Sequence, residues 1–204
     1  MSAPDTYMDK LAVGPKAARV VHLDRTVSDN IRRTARALQK KVSDVTVMVL
    51  DRPRNASIIK ECRKVGARVR LITDGDVAGA ISTCMPRSGV DLLMGSGGST
   101  ESVLAAAAMK VLGGEFQARF KPRSDDDAKH VKQYLRKIGI HDIRKIFHVG
   151  DLARGKTLTF TATGVIDGPL LDGIRFESER VVTHSIVIRG LSGTIRYITT
   201  HHKQ

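Results

Sequence analysis

The sequence predicts an α/β fold: a mainly parallel sheet with helices on both faces, then a more antiparallel strand region towards the C-terminal end. Three observations predict it. Apolar runs of strand length at 45–50, 67–72 and 90–94 each pass through a short polar loop into a helical stretch, so three βα units follow one another. The first of them, V-T-V-M-V-L, is nearly continuous rather than alternating, as in a strand covered on both faces. Beyond 145 the grammar changes to shorter strand-like runs divided by glycine breaks, with alternation at 194–199. At 204 residues the chain is long enough to bury a core as one domain, 1–204.

Residues 1–24 hold one periodic stretch, Met8 to Val13, stopped by the breaker pair Gly14-Pro15. No first core strand is expected there, and the segment reads as a lead-in. A helix follows at 26–41, capped by Thr26 or Ser28, with Ile31, Ala35 and Leu38 on one face and Arg32, Arg33, Arg36 and Lys40 on the other. After the first strand come Asp51-Arg52-Pro53-Arg54 and a helix that Asn55 caps and Gly66 stops. After the second come Thr73-Asp74-Gly75 and a helix that Asp76 opens. The third strand meets Gly95-Ser96-Gly97-Gly98, which reads as a tight turn because it has so little side chain. Ser99 or Thr100 then caps an alanine-rich helix ended by Gly113-Gly114.

A strand is expected at 115–120. A polar helix follows at 124–138, with Ser124 as cap, Asp125, Asp126 and Asp127 as a capping cluster, and Lys132, Arg136 and Lys137 towards its end. Further strands are expected at 146–149, 158–162 and 181–189, with breaks at Arg154-Gly155-Lys156 and Thr163-Gly164. Ser192-Gly193 reads as a hairpin turn, and the His201-His202 tail is expected to be disordered.

The formal charge is +13, from 34 Lys and Arg against 21 Asp and Glu. The cations are scattered, and the aromatic complement is three Tyr and five Phe with no Trp. That is no stacking surface for bases, so an anionic small substrate is expected rather than nucleic acid. No apolar run reaches membrane-spanning length, and no secretory signal pattern opens the chain. Cys62 and Cys84 lie far apart in no metal spacing and read as reduced thiols of a cytoplasmic protein.

In an open parallel sheet ligands lie beyond the carboxyl ends of the strands, so the three loops share one edge. Arg52 and Arg54 bring forked donors suited to phosphate, with Pro53 stiffening the loop between them. Asp74 and Asp76 flank Gly75 and suit sugar hydroxyls or a cation. Gly95 to Gly98 bring bare backbone N–H groups next to a helix N-terminus, an anion cradle. Glu101 would repel a phosphate there unless a divalent metal lay between them. No nucleophile with an adjacent base stands out, so no catalytic residue is assigned.

The strings TYMDKLAVGP at 6–15, LDRPR at 50–54, LITDGDVA at 71–78 and DLLMGSGGSTESVLAAAA at 91–108 resemble class II fructose-1,6-bisphosphatase, the GlpX family. So do DLARG at 151–155, ATGVIDG at 162–168 and SGTIRYI at 192–198, and the match covers almost the whole chain. The resemblance implies a layered sugar-phosphatase fold and a Mn²⁺- or Mg²⁺-dependent enzyme of gluconeogenesis that releases the 1-phosphate of fructose 1,6-bisphosphate. By motif, Tyr7, Arg52, Pro53, Arg54, Asp74, Gly75, Asp76 and Gly98 match substrate-binding positions, and Glu101 matches a metal ligand. Ser96, Thr100 and Ser102 depart from the family's isoleucine, proline and glycine. The family's D-G-T and D-P-x-E-G-T strings, which carry most metal carboxylates and the catalytic threonine, do not occur. The chain therefore resembles the C-terminal portion of the enzyme, expected to act as a homo-oligomer or with a complementing N-terminal portion. The alternatives are a non-catalytic remnant, a basic module for anions or nucleic acid, and a sedoheptulose-1,7-bisphosphatase.

Overall fold

The computed structural model describes residues 3–155 and 157–203. Lys156, part of one expected break, lies outside them. The first sheet contains β1 (Tyr7–Val13), β2 (Thr46–Leu50), β3 (Arg68–Ile72), β4 (Leu92–Gly98), β5 (Glu115–Lys121) and β6 (Phe147–His148), in the order β3-β2-β4-β1-β5-β6. The expected βα units form its parallel half, β3-β2-β4. On the other side β1 runs antiparallel to both β4 and β5, and β5 antiparallel to β6. The second sheet, β7 (Thr159–Thr163), β8 (Arg175–Phe176), β9 (Arg180–Arg189) and β10 (Thr194–Lys203), is antiparallel throughout.

Helices α1 (Val27–Ala37) and α2 (Ala56–Lys64) cover one face of the first sheet. Their Ile31, Ala35, Ile59 and Cys62 meet Leu11, Val47, Val49, Leu92 and Met94. Helices α3 (Asp76–Ser82), α4 (Ser99–Leu112), α5 (Asp125–Lys137) and α6 (Val149–Leu152) cover the other, packing on Met8, Ala12, Leu93, Phe116 and Phe147. The second sheet lies beyond α3 and α4, where Ile186 and Ile188 meet Ile81 and Ala108. The layers thus run helix, sheet, helix, sheet. The alanine run of α4 permits this, since Ala105 and Ala106 touch the first sheet's core while Ala108 faces the second.

Three expectations need correction. The segment read as a lead-in contains β1, a central strand of the first sheet, whose residues from Leu11 to Val13 are wholly buried. Its apolar pattern is interrupted by Asp9 and Lys10, and each has a counter-charge elsewhere in the fold, on Lys121 and Asp76. The tail expected to be disordered is instead the end of β10, with His201 and His202 opposite Val182 and Val181. The long β9 supplies a backbone partner that a local reading of two histidines does not reveal. The strand expected at 146–149 is also shorter, because His148 caps α6, where its backbone N–H donates to Asp151.

A strand role for 7–13 has a measurable consequence. Leu11→Ala is expected to lower unfolding free energy by about 2–5 kcal/mol in urea titrations, the range for emptying a packed aliphatic site. A lead-in segment would give a change near zero.

Candidate active site

The glycine run is strand, not turn. Gly95, Ser96, Gly97 and Gly98 belong to β4 and pair with Lys10, Asp9, Met8 and Tyr7. Helix α4 begins directly afterwards at Ser99, earlier than an Ser99 or Thr100 cap would put it, with Gly98 at the N-cap position. The Ser99 hydroxyl donates to the Pro4 carbonyl and accepts from the Thr6 N–H at 3.3 Å, fastening the start of β1. The glycines are needed for close approach. A Cβ on Gly97 would land on the Asp76 carboxylate and stand 3.2 Å from both Lys10 Nζ and Leu50 Cδ1. A Cβ on Gly98 would collide with the Glu101 carboxylate.

Beneath Gly97 lies an ion pair. Lys10 Nζ donates to Asp76 Oδ2 at 2.5 Å, with the two side chains 3% and 8% exposed. Burial pushes the Lys10 ammonium below its ordinary 10.5, against the opposing pull of Asp76 and Glu101. One oxygen of Asp76 is therefore turned into the protein. Lys10 is a residue of this candidate site that the motifs did not single out. Its signal in the sequence is a lysine on the same strand face as Met8 and Ala12, both fully buried.

The loop after β2 reaches the same place. Arg54 Nε donates to the Ser96 carbonyl at 2.9 Å, and its guanidinium carbon sits 4.3 Å from the centre of the Tyr7 ring. Asn55, read from the sequence as a helix cap, makes no cap bond. It is fully buried and instead accepts from Ser96 N–H at 2.8 Å and donates to the Leu50 carbonyl at 3.0 Å, locking β2 to β4. Pro53 opens the short 3₁₀ turn Pro53–Asn55 that aims Arg54 inward.

Arg52 and Asp74 are exposed, and their hydrogen bonds stay within their own loops. Arg52 donates to the Asp51 carbonyl, and Asp74 accepts from Gly75 N–H at 2.7 Å. Gly75 takes φ +84°, the left-handed region that glycine favours, to bring Asp76 round into α3. Of the residues expected from the motifs, Tyr7, Arg54, Asp76, Gly98 and Glu101 gather around the end of β4. Arg52 and Asp74 lie on the rim.

Glu101 occupies the first turn of α4, half-buried, and accepts from the Thr100 hydroxyl at 2.9 Å. Among the described residues no three His, Cys, Asp or Glu side chains gather as a metal site. A divalent ion that takes six oxygen ligands would find one carboxylate here, so these residues do not fit the ion by themselves.

A second cation at the Tyr7 ring comes from the segment between β5 and α5. The Arg123 guanidinium carbon lies 5.4 Å from the ring centre. Its Nη2 donates to the Asp5 carbonyl at 2.8 Å, and its Nε to Asp127 at 3.3 Å. Asp127 also accepts from Thr6 Oγ1 at 2.5 Å and from Arg123 N–H at 2.8 Å. Ser124 caps α5 as expected, through Asp127 N–H. The acidic triplet thus caps the helix, and its third member also clasps β1. Desolvation raises the Asp127 carboxyl, but the Arg123 N–H, the Thr6 hydroxyl and the Arg123 guanidinium together hold it below its usual 3.8.

The family described as bacterial fructose-1,6-bisphosphatase, glpX-encoded, matches residues 1–202. The chain belongs to this family. It is 42% identical to the fructose-1,6-bisphosphatase class 2 of Haemophilus influenzae over 212 aligned positions, covering 99% of this chain and 63% of the relative. It is 40% identical to the fructose-1,6-bisphosphatase 1 class 2 of Escherichia coli, covering 99% of this chain and 62% of the relative. A third relative, from Synechococcus sp., is named D-fructose 1,6-bisphosphatase class 2/sedoheptulose 1,7-bisphosphatase; it is 40% identical, with 99% and 60% covered. The chain thus spans about three-fifths of the length of these glpX-family relatives.

Two outcomes are expected from this geometry. Lys10→Met should cost about 3–5 kcal/mol in urea unfolding because it leaves the buried Asp76 charge uncompensated, and adding Asp76→Asn should recover most of that loss. Asp127 has a lowered carboxyl pKa, so its stabilising contribution is whole above about 3.8 and is lost as pH falls through the lower folded value. Asp127→Asn should therefore melt below the wild type at about pH 6, with the gap narrowing as the pH is taken below 3.8.

Proposed function

We propose that this chain forms the sugar-phosphate-binding face of a fructose-1,6-bisphosphatase, which hydrolyses the 1-phosphate ester to give fructose 6-phosphate and inorganic phosphate. The observation that carries the reading is the Arg54 guanidinium. Its Nε is held by the Ser96 carbonyl and its plane stands near Tyr7, at the strand edge where the chain's family motifs converge. Its remaining N–H groups are donors for a phosphoryl group, and the Tyr7 hydroxyl is a further donor beside them. Asp74 and the outer oxygen of Asp76 accept from sugar hydroxyls, with Arg52 an added cation on the rim. Pro53 and Gly75 shape the two loops, and Gly98 lets the substrate come close to the backbone.

Glu101 is the ligand this chain gives to a divalent ion, Mn²⁺ or Mg²⁺. A divalent ion held there would supply charge neutralisation at the phosphoryl oxygens. The rest of its coordination sphere has to come from outside the described residues, from the same polypeptide or from a partner chain. The family membership supports the reaction class and gluconeogenesis as its setting. The two unpaired cysteines, whose thiols burial pushes up to about 11, suit a reducing cytoplasm. The name of the Synechococcus relative favours one second reading, activity on sedoheptulose 1,7-bisphosphate at the same site.

Isothermal titration of the chain with fructose 1,6-bisphosphate tests the binding face. Arg54→Met should weaken binding by roughly 1.5–3 kcal/mol, tenfold or more, the scale of a lost hydrogen bond to a charged group. A wild-type chain that ignores fructose 1,6-bisphosphate at millimolar concentration would sink the proposal.

A further inference from the structure

The reading above, on which this one rests, gives the chain one inward-facing arginine for a substrate with two phosphoryl groups. We infer that Arg123 is the second phosphoryl-recognising residue, and that the Arg54–Tyr7–Arg123 cluster selects sugars bearing two phosphates over sugars bearing one.

Three observations carry this. The first is convergence. Both guanidinium carbons lie against the same phenol ring, at 4.3 Å for Arg54 and 5.4 Å for Arg123. The two cations are therefore held around one ring, although they come from segments far apart in the sequence.

The second is orientation. Arg54 gives its Nε to the Ser96 carbonyl. Arg123 gives its Nε to Asp127 and Nη2 to the Asp5 carbonyl. Each guanidinium is steered by protein acceptors on part of its fork, and each has further N–H groups to offer. A fork held in this way loses little side-chain freedom on meeting a phosphate.

The third is charge. Lys10 lies buried close by with Asp76, and Lys121 is paired with Asp9 on the neighbouring stretch of β1 and β5. Those two lysines are matched one to one. Arg54 has a carbonyl for its partner and no carboxylate among the recorded ion pairs. Arg123 shares Asp127 with the Thr6 hydroxyl and with its own backbone N–H, and its second carboxylate, that of exposed Asp5, stands 3.9 Å away. Two like charges held around one ring repel each other, and an anion between them relieves that repulsion. A substrate with a phosphoryl group at each end meets both cations; a monophosphate meets one.

A purely structural role for Arg123 is the competing account, since Arg123 and Asp127 also fasten the start of β1 to α5. The two accounts differ in ligand selectivity. Isothermal titration of the full 204-residue chain with fructose 1,6-bisphosphate, fructose 1-phosphate and fructose 6-phosphate separates them. The wild type should prefer the bisphosphate to each monophosphate. In Arg123→Met the affinity for the bisphosphate should fall about tenfold or more, and the affinity for one of the two monophosphates should stay within about twofold, so the preference collapses. Arg123→Lys, which keeps the charge without the fork, should recover part of the preference. Each variant is titrated at a temperature below its own melting point. Equal weakening of all three ligands by Arg123→Met would assign Arg123 to the clasp alone and overturn the inference, as would a preference that the substitution leaves intact. A wild-type chain that binds no fructose phosphate overturns the proposed function and this inference together. A wild-type preference that Arg123→Met does not touch overturns only the inference.

Discussion

The ion pair between Lys10 and Asp76 holds together the three elements that make the site. Lys10 is on β1, Asp76 opens α3, and Gly97 of β4 lies directly over both. Burying two charges costs several kcal/mol each, and the 2.5 Å contact between side chains less than a tenth exposed offsets part of that cost. Several local features follow from this constraint. The position over the pair has to be glycine, because any Cβ there lands on the carboxylate. Gly75 has to turn left-handed so that Asp76 faces inward. The start of α3 is thereby fixed, and with it the face that α3 shows to both sheets.

The same crowding sets the architecture around the site. α4 lies between two sheets with alanine on either side, which leaves little room for the chain to shift along it. Gly79 brings α3 equally close, since a Cβ there would stand 2.7 Å from Leu93 and 2.8 Å from Met48. Asn55 then ties the loop after β2 to the β4 backbone on the opposite side. Arg54, the next residue along, is aimed by a carbonyl of that same strand. A rigid scaffold made of one strand and its neighbours thus positions groups from three loops, which is how catalytic precision is ordinarily obtained in α/β folds.

Much of this was legible in the sequence and some was not, for physical reasons. Apolar periodicity located the βα units, and family motifs located the residues of the edge. What local pattern misread was the part built from long-range pairing. Tyr7 to Val13 lost its strand character to Asp9 and Lys10, whose compensating charges lie 112 and 66 residues away. The glycine run looked like a turn because glycine is common in turns, whereas here the missing side chains make room for Asp76 and Glu101 inside a strand. Asn55 looked like a helix cap because cap and strand lock use the same amide. The histidine tail gained its order from β9, which no local rule could supply. Arg52 and Asp74 carry the motif without close company, since both are exposed and their hydrogen bonds stay within their own loops.

Ser96 shows what the central constraint leaves unfinished. It lies on the face of β4 opposite the ion pair, fully buried, and its hydroxyl has no hydrogen-bond partner among the described residues. An unpaired buried hydroxyl costs about 1–3 kcal/mol. Yet the backbone of Ser96 is fully engaged, with its N–H on Asn55 and its carbonyl taking Arg54. The main chain at this position is therefore fixed by the site, while the side chain is not. A β-strand separates those two demands, because its backbone bonds lie in the sheet and its side chains stand out of it. The same separation runs on into α4: the strand's backbone positions Arg54, and the helix start positions the Glu101 carboxylate.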